Sequence, residues 1–192
     1  MRAAPLGGFT PETLLAVPKN SADFSCTLSC AGQSASLHKA RGESVEHVLL
    51  KALVWAMYLP IYPTAICEDS PIARLKVAGS SLRYHPDVYA ANSNAPANSP
   101  LWWAECGSVS VPKLRELAEA YPSTSFTVAK WARSDLRGYA TSLCRDLPAS
   151  CAERFEVVSF PADAPERFIN EEGQVSVGFD DLLDRVTLSE VV

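Results

Sequence analysis

Two acids stand where an acid is costly. Glu105 lies inside the apolar run Leu101-Trp102-Trp103-Ala104-Glu105-Cys106, and Asp87 follows His85-Pro86 at the end of a strand-like stretch. A carboxylate among apolar neighbours must be paired, protonated or bound to a cation. Two of them on adjoining strands, with the Cys106 carbonyl as a third oxygen, make a hard-oxygen set. Such a set suits Mg2+ or Mn2+, which bind one or two carboxylates plus water and substrate phosphate. Glu46, early on an apolar helix, can reach the same place. Plainer readings stand beside these: Pro-Asp is ordinary turn chemistry for Asp87, a salt bridge serves Glu105, and Glu46 suits a first-turn partner of the helix dipole. His47 and His85 flank two of the acids and read as satisfied polar residues rather than general bases. Cys106 as a nucleophile lacks a histidine placed by sequence to activate it.

The elements that must position these residues follow from periodicity. Phe24, Cys26, Leu28 and Cys30 alternate with Ser25, Thr27 and Ser29, as in a half-buried strand; a turn at 31–33 and a return strand over 34–40 complete an antiparallel hairpin. Ser44 caps a helix that runs to Pro60 and is apolar nearly all round, so it must be buried on more than one side. A strand over 81–89, a polar loop over 90–100 and the strand 101–106 follow. Pro112 then opens a helix with Leu114, Leu117 and Ala118 on one stripe, ahead of a strand over 125–131. This strand–helix–strand order implies a parallel crossover. A helix over 135–147, a strand over 154–160, a short strand over 174–179 and a helical turn over 180–184 complete the pattern. Trp102 and Trp103 alternate, so they should fill the core on both sides of a buried sheet.

This order resembles the PD-(D/E)xK nuclease superfamily, and within it the YaeQ-like family. The resemblance rests on the hairpin, on Glu43-Ser44-Val45-Glu46-His47-Val48-Leu49-Leu50-Lys51, on Leu101 to Gly107, on Val111-Pro112-Lys113-Leu114 and on Phe126-Thr127-Val128. It covers about residues 22–132. It implies an α/β fold of restriction-endonuclease type, a mixed sheet flanked by helices with an N-terminal β-hairpin. It also implies Asp87 and Glu105 as ligands of Mg2+ or Mn2+, with Glu46 in support. One departure stands out: the motif wants lysine two residues after the glutamate, and Gly107 is there. Lys113, in the first turn of the next helix, is the natural substitute, and Lys130 is the second candidate. Lys130, Arg133 and Arg137 are then expected to meet the phosphates of DNA or RNA. The implied activity is phosphodiester hydrolysis. The alternative is a catalytically degenerate nuclease fold serving as an interaction or scaffold module.

Composition limits the remaining choices. The chain has 192 residues, of which 47% are hydrophobic and 20% charged, and a mean hydropathy near zero. That excludes a disordered acidic tail and a collagen-like repeat. The longest apolar run, 52–59, is far short of a membrane span. The net charge of −5 argues against non-specific coating of nucleic acid. Acidity is concentrated at the end, with 3 basic against 10 acidic residues over 151–192. Residues 1–22 read as an irregular leader without a signal-like apolar stretch, 23–160 as the nuclease-like core and 161–192 as an acidic extension packed on or near it. The six cysteines suit a reducing, cytoplasmic setting. Cys26 and Cys30 lie about 13 Å apart along a strand, too far to share a zinc.

Overall fold

The computed structural model describes residue 20 and residues 24–39, 41–67, 75–76, 83–91 and 100–192. The expected leader and most of the 90–100 loop lie outside the described residues. β1 (Phe24–Cys30) and β2 (Gln33–Lys39) pair antiparallel through a two-residue turn, with Ala31 at φ 50° and Gly32 at φ 77°. Positive φ at both central positions matches the turn's twist to that of the strands. Cys26, Leu28, Ala35 and Leu37 point inward.

α1 (Val45–Tyr58) starts where Ser44 Oγ accepts the His47 backbone N–H. Twelve of its residues are buried, because three partners surround it. The main sheet covers one side and the hairpin another. Phe168, Ile169 and Val175, from the end of the chain, join the same core. The apolar circumference thus reports a central helix, as expected.

The main sheet has the order β10-β9-β8-β7-β6-β3. Its strands are β3 (Ala65–Cys67), β6 (Val88–Ala91), β7 (Pro100–Cys106), β8 (Ser125–Trp131), β9 (Phe155–Phe160) and β10 (Asp184–Thr187). A separate small pair is formed by β4 (Leu75–Lys76) and β5 (Arg83–Tyr84). β7, β8 and β9 run parallel, whereas β3, β6 and β10 make antiparallel contacts. α2 (Val111–Ala120) and α3 (Leu136–Asp146) connect the parallel strands and lie on the face opposite α1. Trp102 packs toward α1 and Trp103 toward α2, with 1% and 0% of their surface exposed. This is a mixed sheet flanked by helices, with an N-terminal hairpin.

The end of the chain departs from the pattern expected for it. No strand forms over 174–179. Gln174 and Val175 instead make single bridges to Ser29 and Ile169. A short helix, α4 (Ala164–Phe168), precedes them, and the last strand is β10, which carries Asp184 and Arg185 and extends the sheet beyond β9. All six cysteines are free. Among the described residues, no helix is long and apolar enough to cross a membrane.

Candidate functional site

The candidate acids meet at one end of β7. The register that pairs Val88 with Ala104 carries Asp87 alongside Glu105 and Cys106, and the Asp87 N–H donates to the Ala104 carbonyl at 3.1 Å. Both acids are buried, Asp87 to 8% and Glu105 to 6% exposure. Each is met by a base from a different layer.

Asp87 is held from the α1 side. Its Oδ2 accepts the Cys106 backbone N–H at 2.6 Å, and its Oδ1 lies 3.2 Å from His47 Nε2. Glu43 Oε1 stands 3.4 Å from the same imidazole nitrogen and accepts from Lys51 Nζ at 2.9 Å. His47 and Lys51 are four apart on α1 and share a helix face, and Glu43, just ahead of the Ser44 cap, meets both, so the three lead to Asp87. Burial pulls the His47 pKa down. The Asp87 hydrogen bond and charge, with help from Glu43, outweigh it and leave the group raised above its ordinary value.

Glu105 is held from the α2 side. Its Oε1 accepts from Lys113 Nζ at 2.6 Å and from the Trp103 indole N–H at 2.7 Å. Lys113 reaches it because Ser110 caps α2 through the Lys113 backbone N–H, which sets the lysine in the first turn over the end of β7. Burial pushes the Glu105 carboxyl up. Lys113 and Trp103 oppose this, Asp87 adds to it, and the net pKa is raised. That influence of Asp87 follows from the two acids being neighbours.

Gly107 stands at φ 77°, so β7 leaves the extended conformation there. A side chain at this position would not continue the strand's alternation, which is why the lysine comes from α2. The Gly107 carbonyl instead accepts from Lys130 Nζ. Lys130 lies 4.3 Å from the centre of the Tyr139 ring, and the Arg133 guanidinium lies 4.6 Å from the same centre. Burial and the neighbouring Arg133 lower the Lys130 pKa to about 8.

Not every residue singled out in the sequence converges here. Glu46 is exposed. One residue along a helix is a turn of about 100°, so a helix that aims His47 at Asp87 sends Glu46 toward solvent, and the acid beside His47 is Glu43. The Cys106 thiol is buried in the α1-side core, and its pKa is raised well above the usual thiol value by burial and then by the charge of Asp87. It is therefore unsuited to attack as a thiolate. Arg137 is exposed and donates to the Glu190 carbonyl at 3.3 Å, apart from the Lys130–Arg133–Tyr139 group. The sequence alone reads His47 as a satisfied polar residue, because its contact with Asp87, forty residues away, exists only in the fold.

Asp87 and Glu105 stand on neighbouring strands, and two carboxylates suit a water-rich magnesium or manganese site rather than a cage made wholly of protein ligands. Among the described residues, no group of three or more His, Cys, Asp or Glu side chains is arranged to hold a metal ion.

No family model matches the chain, and no curated protein matches it. Solved structures similar to it include two YaeQ proteins. One is the YaeQ protein from Xanthomonas axonopodis pv. citri, with 15% identity, 81% of each chain covered and a TM-score of 0.45. The other is the YaeQ protein from Pseudomonas syringae, with 12% identity, 76% of this chain and 74% of that one covered, and a TM-score of 0.46.

Proposed function

We propose that the chain is a metal-dependent phosphodiesterase of nuclease type, acting on DNA or RNA with Mg2+ or Mn2+ held by Asp87 and Glu105. The observation that carries this reading is the placement of Lys113. The slot two residues after Glu105 holds glycine, yet an ammonium group reaches the Glu105 carboxylate from the next helix. Bound between the acids, the cation would activate a water and stabilise charge developing on the phosphodiester. Asp87 and Glu105 would hold it, with the Cys106 carbonyl as a further oxygen. His47 and the Cys106 N–H orient Asp87. Lys113 neutralises charge next to Glu105, and Lys130 and Arg133 offer cations to a neighbouring phosphate.

One observation favours a second reading. Both acids are already matched by the chain's own bases, Asp87 by His47 and Glu105 by Lys113. A site balanced in this way suits a degenerate nuclease fold kept as an interaction module.

Calorimetric titration with Mn2+ and Mg2+, together with cleavage of DNA and RNA panels in Mn2+, separates the two. Saturable binding lost in Asp87→Ala and Glu105→Ala, with cleavage lost in parallel, is the result expected of the enzyme. A protein indifferent to both ions leaves only the module.

A further inference from the structure

A carboxylate that ligates a cation must be held in one orientation, and in Glu105 one of its two oxygens is already committed. Oε1 takes two donors, Lys113 Nζ and the Trp103 indole N–H, at 2.6 and 2.7 Å. A carboxylate oxygen has two lone pairs, so these bonds fill Oε1, and neither of them uses Oε2. Trp103 and Glu105 are two residues apart on β7 and therefore share a face of the sheet. The indole has no exposed surface. Its ring stacks on Tyr121 with centroids 6.2 Å apart, and it belongs to the core under α2.

The indole N–H is a donor only. Were Glu105 to turn and present both oxygens to a cation, the indole N–H would be left buried without an acceptor, an arrangement that proteins avoid. The lysine is a weaker constraint, because its stem is flexible and its side chain is 21% exposed.

We propose that Trp103 is a positioning residue: its indole N–H pins Glu105 Oε1, so that the carboxylate meets a divalent cation through Oε2 alone. The proposal rests on the metal-binding reading above and assigns a one-oxygen mode of ligation to it. Partners of this kind, which orient a ligand without touching the metal, change metal affinity by about 10–100-fold when removed.

The test is Mn2+ titration of the full chain by calorimetry at neutral pH, comparing the parent with Trp103→Phe and with Tyr121→Leu. The second variant loosens the packing around the indole and leaves its N–H in place. Trp103→Phe should weaken Mn2+ binding by about tenfold or more, and Tyr121→Leu should lower the melting temperature with no change in Mn2+ affinity. Equal affinity in Trp103→Phe and the parent overturns the proposal, and so does an equal weakening in Tyr121→Leu, which would make the effect one of packing.

Should Trp103→Phe fail to fold, the parent still decides the matter through its tryptophan indole N–H signals in a proton–nitrogen NMR spectrum. The signal displaced by Glu105→Gln should stay slow to exchange with solvent when Mg2+ is added. Faster exchange would mean that the bond breaks on binding, and the proposal falls. A parent that takes up no Mn2+ at all removes the metal-binding reading and the role of Trp103 with it. A parent that binds as tightly as Trp103→Phe removes the role alone.

Discussion

Lys113→Met isolates the charge pair at the heart of the site. The substitution keeps an unbranched apolar stem and the backbone N–H that bonds Ser110, and it removes the ammonium 2.6 Å from Glu105. Removing one partner of a buried ion pair costs about 3–5 kcal/mol when nothing else relieves the remaining charge. Here two things relieve it. Glu105 keeps the Trp103 N–H, and its raised pKa lets it take up a proton. With Lys113 also partly exposed, the expected loss near neutral pH is about 1–2 kcal/mol. The loss also has a sign in pH. A carboxyl whose folded pKa lies above its unfolded value contributes stability that is complete below about 4.5 and disappears as pH rises through the folded pKa. Without Lys113 the folded pKa climbs further, so the deficit of the variant should be small near pH 4 and largest near neutrality. Urea unfolding in EDTA at both pH values, for the parent, Lys113→Met, Glu105→Gln and the double variant, gives the coupling directly. The pair should couple by about 1 kcal/mol or more near neutral pH and hardly at all in acid. A deficit equal at both pH values, or additive single variants, would mean that Lys113 acts through the Tyr84 ring 5.3 Å away and not through Glu105.

The other expectations concern the groups around this pair. His47→Asn should be destabilising below about pH 6.5, and the deficit should fade as pH rises through the raised folded pKa of His47; urea unfolding across that range would contradict the Asp87 pairing if the deficit grew instead. Gly107→Ala should cost about 1–2 kcal/mol by thermal unfolding. The cost comes from φ 77° and not from crowding, since an added Cβ meets only His47 Nδ1 at 3.6 Å, and an unaffected melting temperature would refute it. With the Lys130 pKa near 8, its charge is lost above that pH. Nucleic-acid affinity measured by anisotropy should therefore fall from about pH 7 to about pH 9 in the parent and hold level in Lys130→Arg, whereas parallel profiles would take Lys130 out of the interface.

Much of the fold is visible in local pattern. Alternation marks β1 and β2, the cap at Ser44 marks α1, Pro112 marks the start of α2, and the apolar runs at 101–106 and 125–131 mark the parallel strands. What escapes local pattern is whatever exists only because something else covers it. The stretch 174–179 has strand-like residues but meets β1 at a single bridge and so never becomes a strand. β10 carries two charged residues among its four and would not be read as a strand. It forms because the edge of β9 is open and because Arg185 Nε finds Glu156 Oε2 at 2.7 Å, an acid whose other oxygen accepts from Tyr58.

The site divides along the same line. Glu105 is conspicuous in sequence because its surroundings are apolar, and Lys113 because it falls in the first turn after the strand. That Glu46 looks outward depends on the rotational phase of α1, which an all-round apolar helix conceals, since no polar face marks which side meets solvent. His47 and Asp87 are joined by tertiary contact alone.

The acidity of the chain sits differently from its site. Of the ten acids over 151–192, Asp184 lies on β10, at the edge of the sheet three strands away from β7. With strands about 4.8 Å apart, that is roughly 14 Å, beyond the screening length of about 8–10 Å at physiological salt. Glu156, on β9, is held by Arg185. The charges directly against the two acids are local ones, His47 against Asp87 and Lys113 against Glu105, and they are not read from the net charge of −5. Net charge argues against indiscriminate coating of nucleic acid, and it leaves open a contact confined to the end of β7.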